Sequence, residues 1–204
     1  MSLPENHTYP VMEHFYTIQG EGFYTGSAAY FVRLGGCDVG CVWCDVKDSW
    51  DAEKHPTMSV PEIVEKVVES KAKICVITGG EPAMYNLAPL IDVLHSNNIQ
   101  VNIETSGAYK IQGKPDWICL SPKKFKPPIF EALSIANEYK VVVFHKSDIQ
   151  WAEQFIASLS PNCLLYLQPE WSKNDITLPI IIDYVKANSN WKISLQTHKF
   201  MQIP

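Results

Sequence analysis

The sequence predicts an α/β protein with a mainly parallel sheet, and three observations support this fold class. Short apolar runs typical of strands alternate with amphipathic helical patterns along most of the 204 residues, as in successive βαβ units. Nearly every strand-like run is followed directly by polar, charged or glycine residues. Neither a repeat, nor a low-complexity tract, nor a linker divides the chain, so residues 1–204 are predicted to form a single domain.

Seven segments have the apolar, β-branched composition of strands. A complete eight-fold barrel needs about 250 residues, more than this chain has. We therefore expect a shortened or partial (βα) barrel, with a doubly wound sheet as the alternative. Because ligands bind at the carboxyl ends of parallel strands, the polar strand ends predict one large site along that rim. The segments are 30–34, 74–78, 99–104, 117–121, 139–144, 164–168 and 192–196.

Four segments have the spacing of apolar residues that is typical of helices. The clearest is 59–71, in which Ser59 and Glu62 are spaced as a capping box. The segment 147–160 opens with a similarly spaced serine and glutamine, which predicts a second capped helix. The other two segments are 87–94 and 175–188, the latter weakened by Pro179.

Composition and charge favour a cytoplasmic protein without nucleic-acid or membrane partners. The formal net charge of −5 opposes a nucleic-acid surface, which usually carries a basic excess. No apolar run approaches the roughly 20 residues of a membrane span, and the N-terminus lacks the basic start and apolar stretch of a signal peptide. Thiols stay reduced in the cytoplasm, so clustered cysteines there indicate a metal more often than a disulfide.

Three of the six cysteines lie within eight positions, at Cys37, Cys41 and Cys44. Glycines and an aspartate surround them, which indicates an exposed turn and opposes their use as small core residues. Structural zinc is a second interpretation, but zinc needs four ligands. Three thiolates suit an iron–sulfur cluster with one iron left open to a substrate or cofactor. The candidates for a fourth zinc ligand are His55, Cys75 and Cys119.

The spacing C-x3-C-x2-C, with Trp43 directly before the last cysteine, resembles the signature of the radical S-adenosylmethionine (radical SAM) enzymes. The stretch from Thr78 to Pro82, "TGGEP", follows a predicted strand and resembles the glycine-rich second motif of that family. The resemblance implies a partial (βα) barrel of the radical SAM type. It also implies that the three cysteines hold a [4Fe-4S] cluster whose open iron binds the amino and carboxylate groups of S-adenosylmethionine (SAM).

Four further stretches are similar to the 7-carboxy-7-deazaguanine synthase family. They are "FYTIQGEGFYTGSAAYFVRLGGC", "SPKKF", "YLQPEW" and "SLQTHKFMQIP", and the resemblance runs from Phe15 to the last residue. It implies a carbon–nitrogen lyase that converts 6-carboxy-5,6,7,8-tetrahydropterin to 7-carboxy-7-deazaguanine with loss of ammonia, on the route to 7-deazapurines such as queuosine. One-electron cleavage of SAM then yields an adenosyl radical that takes a hydrogen from the substrate, so no side chain is expected to be catalytic. A flavodoxin-like electron donor and a homodimer are further implications.

The resemblance assigns one set of residues to the substrate. Gln19 and Glu21 offer an amide and a carboxylate, which complement a polar heterocycle. Arg33 suits a bidentate clamp on the substrate carboxylate, and the terminal carboxylate of Pro204 is expected at the amine edge of the substrate. The full set is Ile18, Gln19, Gly20, Glu21, Arg33, Thr78, His198 and Pro204.

A second set is assigned by the resemblance to SAM. Gly80 permits close approach of the backbone to a ligand, and Ser106 in "ETSG" and Ser121 with Lys123 in "SPK" can serve ribose hydroxyls and the carboxylate. The set is Trp43, Cys44, Asp45, Gly80, Ser106, Ser121, Pro122, Lys123, Gln168, Pro169, Glu170 and Trp171.

One residue departs from the family pattern. Many members have a threonine after the cysteine–aspartate pair, where its hydroxyl helps to bind Mg²⁺, but this chain has Val46. A valine offers no oxygen to a cation that requires octahedral oxygen ligands. Either the substrate, water and Asp45 or Asp48 hold Mg²⁺ here, or the requirement for it is weak or absent.

Two rival functions account for part of the sequence. An activator of glycyl-radical enzymes would share the cluster and "GGEP", but it would not explain "QGEG" together with "QTHK". A zinc-stabilised binding domain would explain the cysteines alone.

Overall fold

The computed structural model describes residues 7–204, which contain one nine-stranded sheet. The strands are β1 (Thr8–Ile18), β2 (Ala28–Leu34), β3 (Thr57–Ser59), β4 (Ile74–Gly79), β5 (Gln100–Thr105), β6 (Trp117–Leu120), β7 (Glu138–Val143), β8 (Leu164–Pro169) and β9 (Trp191–Ile193). Their order is β3-β1-β2-β4-β5-β6-β7-β8-β9. From β2 to β9 all neighbours are parallel, whereas β1 is antiparallel to β2 and β3. Because β3 and β9 remain as edges, the sheet is the open partial barrel that the sequence predicts.

Six α-helices accompany the sheet within residues 7–204. They are α1 (Val60–Glu69), α2 (Ala88–Ser96), α3 (Phe130–Ile135), α4 (Ser147–Glu153), α5 (Asn174–Ala187) and α6 (Thr197–Met201). Short 3-10 turns occur at Lys47–Trp50, Ala52–Lys54, Pro82–Met84, Ile156–Ser158 and Trp171–Lys173. In the described part of the chain, no helix is both long and apolar enough to cross a membrane.

At β7 the two faces of the sheet differ sharply in polarity. Tyr139, Val141 and Val143 belong to the apolar core under the helices. Glu138 and Lys140 alternate with them and are also buried, but on the inner face. Successive side chains of a strand point to opposite faces, so a strand that reads as mostly apolar delivers charged groups to the inside. The inner face is therefore the expected location of a polar site.

The predicted strands are all present, and two others were missed. The strands β1 and β3 have burial patterns without clean alternation, so their sequences lack the period of a half-buried strand. The last predicted strand, 192–196, is observed at Trp191–Ile193 and gives way to residues that turn toward α6. The helices α3 and α6 were also missed, because each is too short to show a clear period.

The structure confirms the capping box predicted for the first helix and contradicts the cap predicted at Ser147. At α1, the Ser59 hydroxyl accepts from the backbone N–H of Glu62 at 3.4 Å, and the Glu62 carboxylate accepts from the Ser59 N–H at 2.7 Å. At α4, Ser147 makes no such bond. The Asp148 carboxylate accepts hydrogen bonds from the backbone N–H groups of Phe144 and His145, in the loop before the helix, at 2.8 and 2.7 Å. Pro179, which was expected to weaken the predicted helix over 175–188, lies inside α5 without ending it.

The connection between β1 and β2, residues 19–27, is here called the β1–β2 loop. Because β1 runs against the other strands, this loop lies at the amino-terminal ends of the parallel strands, opposite the loops that follow them. Phe23 stacks on Trp117 at the start of β6, with ring centroids 4.7 Å apart. Tyr24 accepts a hydrogen bond of 2.7 Å from Gln100 at the start of β5.

The β1–β2 loop also reaches the opposite edge of the sheet. The Gly22 N–H donates to the Ser194 hydroxyl at 2.9 Å, just after β9. The Gly20 carbonyl accepts from both the backbone N–H and the hydroxyl of Thr197, each at 2.9 Å. These bonds connect the chain before β2 with the chain after β9, so the loop spans the gap that the open sheet leaves.

Candidate active site

A cavity of about 250 Å³ lies on the inner face of the sheet. It is lined by residues from the loop that carries the three clustered cysteines (35–50, here called the cysteine loop), the carboxyl ends of the strands, the β1–β2 loop and the chain end. All eight residues predicted for the substrate line it, as do the three clustered cysteines and Val46. Of the residues predicted for SAM, Pro122 and Pro169 do not line it, while the others do. Residues far apart in sequence therefore meet in one cavity.

The cysteine loop is held in place by backbone hydrogen bonds. The Gly36 N–H donates to the Ser49 carbonyl at 2.6 Å, and the Cys37 N–H donates to the Trp50 carbonyl at 3.1 Å. The Cys44 N–H closes a turn onto the Cys41 carbonyl at 3.1 Å. These bonds tie both ends of the loop together, so its thiols are presented by an ordered turn.

The "GGEP" strand end packs directly on the cysteine loop. A Cβ at Gly80 would lie 2.7 Å from the Cys37 Cβ, so only glycine permits this contact. The Glu81 N–H donates to the Gly36 carbonyl at 2.9 Å. The buried Glu81 carboxylate in turn accepts from the hydroxyls of Thr105 and Ser106 and from the Ser106 N–H. The close approach expected at this motif thus joins it to the cysteine loop and to the loop after β5.

The donor set fits an iron–sulfur cluster better than a single zinc ion. Cys37, Cys41 and Cys44 are free thiols that face one cavity. Within residues 7–204, no three His, Cys, Asp or Glu side chains are close enough to hold one metal ion. A four-iron cluster bonds each thiolate through a separate iron, so three thiols leave one iron open to another ligand. None of the candidate fourth zinc ligands lines the cavity: Cys75 and Cys119 are buried in strands, and the His55 ring packs on Gly35 and bonds the Asp48 carbonyl at 2.8 Å.

A buried ion pair dominates the part of the cavity that the β1–β2 loop forms. The Lys140 ammonium, with its side chain 4% exposed, pairs with the Glu21 carboxylate. Gln196 donates to the other oxygen of Glu21 at 2.8 Å. Burial raises the pKa of Glu21, but the Lys140 charge and these hydrogen bonds outweigh it and hold the pKa at about 2. Glu21 is therefore ionised at neutral pH and only accepts hydrogen bonds.

A second carboxylate orients the other loop residue predicted for the substrate. Gln19 donates to Glu104 Oε1 at 2.9 Å, and the Thr78 hydroxyl donates to Glu104 Oε2 at 3.4 Å. The amide nitrogen of Gln19 is thereby fixed on the protein, and its oxygen accepts from the Glu21 N–H at 3.0 Å. The result is a compact polar surface of alternating donors and acceptors.

Three residues of this surface were missed by the sequence reasoning. Glu104 and Gln196 are the first residues of "ETSG" and "QTHK", in which only Ser106 and His198 were predicted to contact a ligand. Lys140 is a lone charge in an apolar strand, which is the one local signal that it carried. Each pairing joins residues far apart in the chain, so the spacing of residues along the sequence does not reveal it.

The remaining predicted substrate residues surround this polar surface. Arg33 donates through Nε to Glu13 on the neighbouring strand at 2.6 Å, which fixes one edge of the guanidinium. His198 packs against Gly20, and burial lowers the pKa of its ring. The carbonyl of Pro204 accepts from the Thr17 hydroxyl at 3.3 Å. The last residue therefore docks beside β1 at the cavity.

Several residues predicted for SAM make defined contacts around the cavity. Lys123 donates to the backbone carbonyl and hydroxyl of Ser121 at 2.6 and 2.7 Å, and its ammonium lies 5.7 Å from the centre of the Trp43 ring. Burial lowers the pKa of Lys123. Trp171 packs edge-on against Phe200. Asp45 lies 3.7 Å from the Lys199 ammonium and lines the same cavity.

Comparison with known proteins gives this geometry a family. The radical SAM superfamily model matches residues 31–119. The 7-carboxy-7-deazaguanine synthase of Flavobacterium psychrophilum is 53% identical, over 96% of this chain and 92% of its own length. That of Escherichia coli K12 is 36% identical, over 96% and 99%. This chain belongs to the 7-carboxy-7-deazaguanine synthase family.

The structural comparison agrees with this membership of the synthase family. The crystal structure of QueE from Escherichia coli has a TM-score of 0.84 to this chain at 34% identity, and the match covers 94% of this chain and 96% of that one. The synthase family consists of radical SAM enzymes, so membership implies a [4Fe-4S] cluster and SAM as cofactors and a small-molecule substrate. The three thiols on the cavity wall fit such a cluster.

The buried ion pair predicts a large and specific loss of stability. Lys140→Met leaves the Glu21 charge without its partner and should lower the free energy of unfolding by roughly 3–5 kcal/mol in urea. The double variant Glu21→Gln/Lys140→Met should recover much of this loss, since residue 21 then carries no charge. Lys66→Met, which breaks an exposed helical pair, is the matched control and should cause no measurable loss.

The same pair sets a pH dependence with a defined sign. Because the pKa of Glu21 in the folded protein is about 2 and its ordinary value is 4.5, its contribution to stability is complete above pH 4.5. It is lost as the pH falls toward 2. A Lys140→Met variant as stable as the wild type at pH 7 would contradict the importance of the pair.

Proposed function

We propose that this chain is a carbon–nitrogen lyase that converts 6-carboxy-5,6,7,8-tetrahydropterin to 7-carboxy-7-deazaguanine with loss of ammonia. The observation that carries the proposal is one cavity lined both by three cluster-type thiols and by an amide–carboxylate surface. Membership of the 7-carboxy-7-deazaguanine synthase family supports the same reaction. The product suits the biosynthesis of 7-deazapurines of the queuosine type.

The amide–carboxylate surface has the chemistry to bind the pyrimidine half of a pterin. That half presents an amino group and a ring N–H on one edge, and both donate hydrogen bonds. Glu21 is ionised, and each of its oxygens retains a lone pair after the bonds from Lys140 and Gln196. Gln19 adds an amide that Glu104 orients. Buried, pre-oriented partners reject analogues that lack the matching groups.

The opposite end of the substrate carries a carboxylate, for which Arg33 is the proposed partner. A planar guanidinium binds a carboxylate through two parallel hydrogen bonds. Glu13 holds one edge of Arg33 at 2.6 Å and so orients the group before substrate arrives. Thr78, His198 and the terminal carboxylate of Pro204 complete the proposed set of contacts, together with the backbone of Ile18 and Gly20.

The proposed cofactor residues act by binding and orientation. Cys37, Cys41 and Cys44 would hold the [4Fe-4S] cluster, and Gly80 keeps the strand end against the cysteine loop. When bound, the cluster supplies the electron that cleaves SAM. Ser121 and Lys123 present a donor and a positive charge for SAM, and Trp43 and Trp171 offer aromatic faces beside it. Ser106, Asp45, Gln168 and Glu170 are the other lining residues proposed for SAM.

The partners and setting follow from the resemblance to the family. We propose a single-domain, cytoplasmic homodimer that receives its electron from a flavodoxin-like protein. No nucleic acid or membrane is needed as a partner, in keeping with the net charge of −5.

The first prediction concerns the reaction itself. Protein reconstituted anaerobically with iron and sulfide should turn brown and form 7-carboxy-7-deazaguanine from SAM and the carboxypterin. Cys41→Ser should lose both bound iron and activity, because it removes a cluster ligand. Cys163→Ser, at a free cysteine that does not line the cavity, should keep both. A colourless wild-type protein with stoichiometric zinc would refute the proposal.

The second prediction concerns the chain end. Extension beyond Pro204 removes the terminal carboxylate from the cavity and should raise the KM for the carboxypterin roughly tenfold or more, because a hydrogen bond to a charged group contributes about 1.5–3 kcal/mol. Iron content should not change. The control is the same extension at the N-terminus. A KM of the C-terminally extended protein equal to that of the wild type would reject the role of the terminus.

The third prediction concerns Mg²⁺. Val46 lines the cavity without offering an oxygen, and Asp45 lines it beside Val46 whereas Asp48 does not. We propose that residue 46 gives no ligand and that the enzyme depends on Mg²⁺ only weakly. After chelation, added Mg²⁺ should raise the activity of the wild type less than that of Val46→Thr, which restores a hydroxyl. A wild type fully inactive without Mg²⁺ would contradict this.

A further inference from the structure

Glu138 is a buried carboxylate that the proposed reaction does not use. It opens β7, is 2% exposed, and does not line the active-site cavity. Its Oε2 accepts from the backbone N–H of Phe23 at 3.1 Å and from the indole N–H of Trp117 at 3.2 Å. Its Oε1 is buried and has no hydrogen-bond partner among residues 7–204. Such a group is costly to bury, so its location calls for a function.

We propose that Glu138 is a positioning residue that anchors the β1–β2 loop and thereby fixes Gln19 and Glu21 for substrate recognition. This inference rests on the proposed function only in one respect, namely which molecule Gln19 and Glu21 bind. The anchoring itself depends on contacts that exist without any ligand.

The loop needs an anchor because its own backbone hydrogen bonds, such as Gln19 N–H to the Ser27 carbonyl and Gly26 N–H to the Gln19 carbonyl at 2.8 Å each, close it on itself and do not attach it to the sheet. Residues 19–27 form neither helix nor strand. Gly20, Gly22 and Gly26 lie within the loop, and the last two have positive φ angles of 65° and 88°. Glycine leaves the unfolded and locally open states many conformations. A loop of this kind keeps one geometry only where other elements hold it.

Glu138 lies at the point where the loop is most constrained. Glu138 accepts hydrogen bonds from the Phe23 N–H and from the indole N–H of Trp117, and the Phe23 ring stacks on the Trp117 ring. One carboxylate of β7 therefore ties the loop to β6 and β7. Gly22 packs on the other carboxylate oxygen so closely that any side chain at position 22 would collide with it. Glu21 is the immediate neighbour of this glycine, so a shift of the anchor moves the recognition carboxylate.

The charges around Glu138 indicate how the anchor should respond to Glu138→Gln. Burial raises the pKa of Glu138, while the Lys140 charge and the hydrogen bonds from Phe23 and Trp117 lower it less strongly. The anchor therefore relies on an accepting oxygen more than on a full negative charge. Glutamine retains such an oxygen, whereas alanine removes it.

The test measures the loop directly and then the reaction. Hydrogen–deuterium exchange of residues 19–26 should accelerate in Glu138→Ala without added ligand, and should stay at the wild-type rate in Glu138→Gln. In turnover, Glu138→Ala should raise the KM for the carboxypterin roughly tenfold, while kcat and SAM cleavage without substrate change little. Tyr166→Phe removes a hydroxyl from β8 and leaves every hydrogen bond of the loop in place; it is the control.

The outcomes separate the anchor from the proposed function. Unchanged exchange in Glu138→Ala, or equal KM values for all variants, overturns the anchor. If the wild type does not convert the carboxypterin, the proposed function fails, but the exchange rates still decide the anchor. If Glu138→Ala does not fold, Trp117→Phe, which removes one of the two donors, should show faster exchange in the same residues, and its absence overturns the proposal.

Discussion

The structure depends on a constraint at the inner face of its sheet, where charged groups are buried together and must satisfy one another. Lys140 is almost fully buried and faces Glu21, with Glu104 and Glu138 nearby. An unpaired charge in such a place is unstable, whereas a paired and hydrogen-bonded one is tolerated. Burial lowers the pKa of Lys140, but the surrounding carboxylates outweigh burial and raise it well above its ordinary value. The charged pairs that line the polar cavity therefore also contribute to the stability of the fold.

Much of the fold could be predicted from the sequence, because the helices and parallel strands carry clear periods. The capping box at Ser59 and Glu62 is local, and the structure contains it. The capping of α4 is equally local but was wrong, since the N-cap is Lys146 and Ser147 is already the first residue of the helix. The antiparallel β1 was missed because residues on both of its faces are partly exposed, which removes the alternation.

The site was predictable where residues act through short motifs. The cysteine spacing, "GGEP" and "QTHK" each bring their residues to the cavity wall. Pro122 and Pro169 were assigned by the resemblance, within "SPKKF" and "YLQPEW", and they do not line the cavity, since adjacent residues need not share a surface. Glu104, Lys140 and Gln196 were missed because their partners lie far along the chain. Only the three-dimensional fold makes such pairs visible.

The reversed direction of β1 has a consequence for how this enzyme could diversify. It places the β1–β2 loop beneath the sheet, while the cysteine loop and the glycine-rich strand end lie above it. The proposed recognition residues Gln19 and Glu21 are consequently encoded by a stretch of chain that is separate from the cysteine loop and from the glycine-rich strand end. Residues 19–27 could therefore be rewritten, by evolution or by a protein engineer, without altering the three clustered cysteines.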